Sequence, residues 1–166
     1  MRRQGGFTLI ELLVSLTIGL MLLSLLAAAT PILLRLSPRL SEKLTVEHAL
    51  SGAAQWLSRD ARRAQSFEPL EPPAYGAFEW EDYSAGERYR AIYYYQPETK
   101  SLWRRLEADG EEKSTSEVAR GILRAEDVEF EWSSDARVVK IELTSSGARG
   151  YSQTTRLLFR LRAQGP

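Results

Sequence analysis

The residue with the clearest chemistry in this chain is a single carboxylate in an apolar run. Phe7-Thr8-Leu9-Ile10-Glu11-Leu12-Leu13 opens the run, and no charged residue occurs at positions 12–34. An ionisable group inside a membrane segment costs roughly 2.5–3.5 kcal/mol on insertion scales at the helix centre, so Glu11 calls for a cationic partner and a job. Ion pairing in a low-dielectric setting is the chemistry on offer.

Other candidates offer less. Asp60 with Arg59, Arg62 and Arg63 reads as an ion-pair cluster on a helix surface. Asp109, Glu111 and Glu112 around Gly110 are calcium-type ligands, but they lack EF-hand spacing and read as a solvated loop. His48 is the only histidine and there is no cysteine, so a zinc site has no ligand set, and His48 reads as a surface or edge residue. Tyr93-Tyr94-Tyr95 and Trp103-Arg104-Arg105 could form a stacking and basic surface for single-stranded DNA. Plain strand alternation also accounts for them, with one aromatic in the core and the next outside. Ser146 and Ser152 sit in a Gly/Ser loop with no histidine partner, and no nucleophile, base and oxyanion set emerges. The expectation is a non-enzyme without cofactor or metal.

Around Glu11 the elements are those of an export signal. Residues 1–6 form a basic leader with Arg2 and Arg3, ending in Gly5-Gly6. An ordinary signal peptide places its small residues after an apolar core of about 7–15 residues, whereas here they precede it. The apolar run also suits a full membrane span of about 30 Å. Cleavage after Ala27-Ala28-Ala29 and a plain single-pass anchor are the competing readings, and the anchor leaves Glu11 unexplained. The positive-inside bias puts the leader in the cytoplasm and everything after Leu34 outside. The leader and span leave roughly 130 residues, enough for one core. Lys+Arg and Asp+Glu both number 22, so no global field draws in nucleic acid.

The run Gly6-Phe7-Thr8-Leu9-Ile10-Glu11-Leu12-Leu13-Val14 resembles the class III signal of type IV prepilins and type II secretion pseudopilins. That resemblance implies a prepilin peptidase that cuts between Gly6 and Phe7 and N-methylates Phe7, and it makes Glu11 the fifth mature residue. Cleavage there leaves a charged amine at a helix start, where the macrodipole disfavours a cation. A carboxylate one turn away, or on a neighbouring subunit, offsets that charge and its own desolvation. In staggered neighbouring helices Glu11 of one meets the Phe7 amine of the other, which gives register to an otherwise featureless packing. Pairing within one subunit is equally compatible.

After the span the helix continues. Leu36, Leu40, Leu44, Val46, Leu50, Ala53, Leu57, Ala61 and Ala64 recur at three- and four-residue steps, with one irregular step near Val46, as on an amphipathic helix. Unbroken from Phe7 to Gln65, it would be roughly 90 Å long. Pro31 and Pro38 are expected to kink or loosen it, and Pro69, Pro72 and Pro73 to end it. Downstream, strands are predicted at residues 89–95, 101–106, 128–132, 138–143 and 154–161, with a turn at 96–100 and a polar loop at 109–116. Residues 118–123 fit either a helix or a strand. The fold class is α+β, a long helix packed on an antiparallel sheet.

Leu57-Ser58-Arg59-Asp60-Ala61-Arg62-Arg63-Ala64, with the order of the later strands, resembles PilW-type minor pilins and J-type pseudopilins, although the chain lacks the cysteines of the former. The implied organisation is a leader at 1–6, a transmembrane assembly helix at 7–34, and an extracytoplasmic head at 35–166 whose helix reaches about residue 66. The implied function is a minor pilin or pseudopilin of a type IV pilus or type II secretion pseudopilus. Its partners would be other pilins, prepilin peptidase and an inner-membrane assembly platform. The alternative is a membrane-anchored DNA-binding module for natural transformation.

Overall fold

Helix α1 spans Leu9–Arg63, and the helix continues through both Pro31 and Pro38. The computed structural model describes residues 8–84 and 86–162, leaving aside the side chains of 32–37. Contacts divide the chain into one unit up to Ser41 and a second from Glu42. In the first unit the apolar stretch Leu9–Pro31 is long enough to cross a membrane by length and composition.

In the second unit, α1 contributes one buried stripe, Val46, Leu50, Ala53, Leu57 and Ala61, which Ala64 extends past the helix end. The steps of three and four keep these residues on one face. Of the three leucines expected to begin the stripe, the Leu36 side chain lies outside the described residues, and Leu40 and Leu44 are 58% and 53% exposed. The reason is phase: the two-residue step from Leu44 to Val46 turns about 200° around the axis. The buried face therefore starts at Val46.

The sheet expected as one is two. β1 (Ser66–Pro69), β2 (Ala74–Asp82), β3 (Glu87–Gln96), β4 (Ser101–Ala108) and β5 (Glu111–Arg120) form an antiparallel meander in that order. β6 (Val128–Ser133), β7 (Val138–Ser146) and β8 (Ser152–Arg160) form a second antiparallel sheet. A short 3-10 turn, Ala125–Asp127, precedes β6. The α+β class stands. Phe130 of β6 joins the two sheets, its ring centroid lying 5.8 to 6.2 Å from those of Tyr75, Tyr93 and Phe67.

Two expectations are corrected. The helix ends at Arg63, and Pro69 sits in an edge strand, where its missing N–H does no harm. Gly76 of β2 lies under the Phe67 ring of β1, and a Cβ there would run into that ring. The polar loop at 109–116 is a hairpin. Asp109 and Gly110 both have positive φ (51° and 84°) and join Ala108 to Glu111, the backbone of a two-residue type I′ turn. Residues 118–120 complete β5, and 121–123 are neither helix nor strand.

Candidate assembly site and a buried ion pair

Thr8 and Glu11 form a reciprocal cap on α1. The Thr8 N–H and hydroxyl donate to Glu11 Oε2 (3.1 and 3.0 Å), and the Glu11 N–H donates back to Thr8 Oγ1 (3.4 Å). This is a capping box, which satisfies backbone donors that a helix start otherwise leaves open. The signal for it, Thr-x-x-Glu before an apolar run, is present in the chain but is overshadowed by the charge of Glu11. Both local bonds use Oε2, and Oε1 accepts none among the described residues. Gly6 and Phe7 lie outside the described residues. From Leu9 to Pro31 Glu11 is the single charged residue.

The second cluster corrects the sequence reading. Asp60, expected on the helix surface, is fully buried. Arg104 of β4 donates to it through both Nε and Nη2 (2.5 and 3.0 Å), and the Tyr93 hydroxyl of β3 donates at 2.7 Å. Arg104 is 3% exposed and lies over the Trp56 ring, 5.0 Å from its centroid, while Arg59 covers the same ring at 3.9 Å. Burial, then the neighbouring Asp60 carboxylate, push the Tyr93 hydroxyl well above the ordinary phenol range. A bidentate pair with a third donor is the arrangement a buried carboxylate requires. Of the arginines grouped with Asp60, Arg59 approaches it at 3.9 Å, and Arg62 and Arg63 are exposed. The signal was positional, since Asp60 follows Leu57 by three on the buried stripe and Arg104 follows inward-facing Leu102 by two.

This geometry dismantles the supposed stacking surface. Tyr93 and Tyr95 are buried with Tyr94 half-buried between them, Tyr95 donates to the Leu123 carbonyl at 3.1 Å, and Arg104 faces inward. Trp103 donates to Thr99 Oγ1 (3.1 Å), and Arg105 pairs with Glu107 (2.9 Å). The carboxylates considered for calcium have local work: Asp109 accepts from the Arg88 N–H (3.0 Å), Glu112 from Thr115 (2.8 Å), and Glu111 pairs with Lys113 (3.7 Å). Among the described residues no group of three or more His, Cys, Asp or Glu is gathered to hold a metal. Ser146 donates to Ser152 across the β7–β8 hairpin (3.1 Å), and His48 is exposed on α1.

Residues 1–27 match the model of the prokaryotic N-terminal methylation motif. No curated protein and no solved structure matches the chain. The N-terminal segment is thus a type IV prepilin-like signal of the class III kind, carried on an apolar helix long enough to anchor the chain in a membrane.

Proposed function

We propose that the chain is a non-enzymatic structural subunit, a minor pilin or pseudopilin that is drawn from the inner membrane into a filament or its tip complex. The observation that carries this reading is the methylation motif at residues 1–27, with Glu11 as the lone charge in the span. Residues 1–6 are a cytoplasmic leader that prepilin peptidase removes between Gly6 and Phe7, and Phe7 becomes the methylated terminus. Residues 7–34 anchor and assemble, and 35–166 are a head outside the cytoplasm.

The capping box is compatible with a role in assembly. Glu11 Oε2 serves Thr8, which leaves Oε1 available to a neighbour's Phe7 amine, a charge-assisted bond in a medium without competing water. Other prepilin-type subunits and an inner-membrane platform are the partners this implies. The alternative of an anchored DNA-binding module loses its basic stack, because Arg104 is committed to Asp60.

The test is Glu11→Ala in the native host. Membrane insertion and cleavage should persist while co-purification with other prepilin-type subunits falls at equal abundance of the mature form. Unchanged co-purification at equal abundance would confine Glu11 to its local cap.

A further inference from the structure

The end of α1 and the β2–β3 turn border an open cleft of about 810 Å³. Arg59, Arg62 and Arg63 of α1 line it, together with Trp80 of β2, Tyr83 of the turn and Arg162, which follows β8. Positions i, i+3 and i+4 put the three α1 arginines on one face of the last turn. Arg162 comes from the other sheet and is held in place by Arg137, whose Nη2 donates to the Gln65 and Arg162 carbonyls (both 2.6 Å). A helix C-terminus favours cations, which accounts for Arg62 and Arg63. It does not account for Arg162.

These charges are not spent within the chain. The side chains of Arg62, Arg63 and Arg162 make no ion pair and no hydrogen bond among the described residues. Arg59 lies over the Trp56 ring and 3.9 Å from Asp60, a carboxylate that Arg104 already neutralises. The two carboxylates that border the cleft, Glu81 and Asp82, are directed elsewhere. Asp82 accepts from the Ser84 N–H and hydroxyl (3.0 and 2.6 Å). Glu81 is in register with Arg88, and strand alternation sends both to the sheet face opposite Trp80. Four arginines against these two carboxylates leave an excess of positive charge in a concave site, which concentrates anions.

Trp80 adds a neutral donor. It is 8% exposed, with its ring stacked on Tyr89 (5.6 Å between centroids), and its indole N–H has no acceptor among the described residues. An indole N–H can only donate. A buried donor left open beside a cleft calls for an acceptor from outside the chain.

We infer that this cleft binds a phosphate group carrying two negative charges, as on a phosphate monoester or a diphosphate. Its donors come from three separate segments: α1, β2 and the residues after β8. A planar carboxylate is satisfied by one bidentate arginine, whereas the terminal oxygens of a phosphate accept from several directions at once. Guanidinium forks match those oxygens in pairs, and the indole N–H supplies a further bond. None of this depends on the processing or assembly of the amino terminus.

The experiment titrates the full chain in mild detergent with inorganic pyrophosphate at low salt. Calorimetry reads the affinity, and the indole N–H resonance of Trp80, identified with Trp80→Phe, reads the place. Binding should be sub-millimolar and should shift that resonance. Arg62→Gln combined with Arg63→Gln should weaken binding at least about tenfold, the effect of losing one charge-assisted bond. Thermal unfolding of that variant should stay nearly unchanged, because neither side chain has a partner to lose. Arg162→Gln should act in the same direction, and Arg149→Gln, outside the cleft, should have no effect. Malonate, a dianion built from planar carboxylates, should bind about fivefold more weakly or worse. The inference is overturned by absence of binding up to about 10 mM pyrophosphate, by binding indifferent to the cleft arginines, by an equal loss in Arg149→Gln, or by malonate binding as tightly.

Discussion

Asp60 of α1 and Arg104 of β4, forty-four residues apart in sequence, meet in a bidentate pair with both side chains buried. With Tyr93 donating as a third partner, the pair fixes how the helix is rotated and how far it is slid against β3 and β4.

Removing one member of that pair leaves the other charge buried and alone. Arg104→Leu or Asp60→Leu should each destabilise the fold by about 3–5 kcal/mol, whereas the two changes combined should cost much less than their sum. Denaturant unfolding of the four proteins measures this. Additive losses would show that the residues act independently.

Tyr93 gives a pH dependence with a definite sign. Its folded pKa is raised by burial and by Asp60, so its contribution is fully present below the unfolded phenol value of about 10 and is lost as pH rises above it. Tyr75, pushed up to about 12 by burial first and then by Tyr95, acts in the same direction. Stability should therefore fall above pH of about 10, with a shallower fall in Tyr93→Phe. An equal slope in that variant, measured by unfolding at several alkaline pH values, would contradict the assignment.

A fragment beginning at Glu42 keeps the whole buried stripe from Val46 and the Glu42 carboxylate that accepts from the Arg149 N–H in the β7–β8 loop. It should be soluble, unfold cooperatively and ignore reductant, since the chain has no cysteine. A fragment beginning at Glu68 exposes the sheet surface that α1 covers and should aggregate. Equal solubility and stability of the two, by sedimentation and thermal unfolding, would remove α1 from the core.

What the sequence made legible follows from how each segment is solvated. β6, β7 and β8 alternate cleanly between inward and outward residues, β3 is rich in tyrosine and β4 is marked by the turn that precedes it, and all five are read within a few residues. β5, Glu-Glu-Lys-Ser-Thr-Ser-Glu at its start, lies on an exposed edge where no burial imprints a pattern, and it was read as a polar loop. β1 was masked by Pro69, which an edge tolerates. Asp60 and Arg104 were misread because charge argues for the surface, and only their positions on inward-facing registers argued otherwise. Glu11 was read as a charge awaiting a partner, while its bond to Thr8 needs the geometry of a helix start.

The processing claim is tested most directly by the intact mass of the protein from native membranes. The account predicts a chain that begins at Phe7 and carries one added methyl group on its amino terminus. A mature chain beginning near Thr30, or one still starting at Met1, would contradict it.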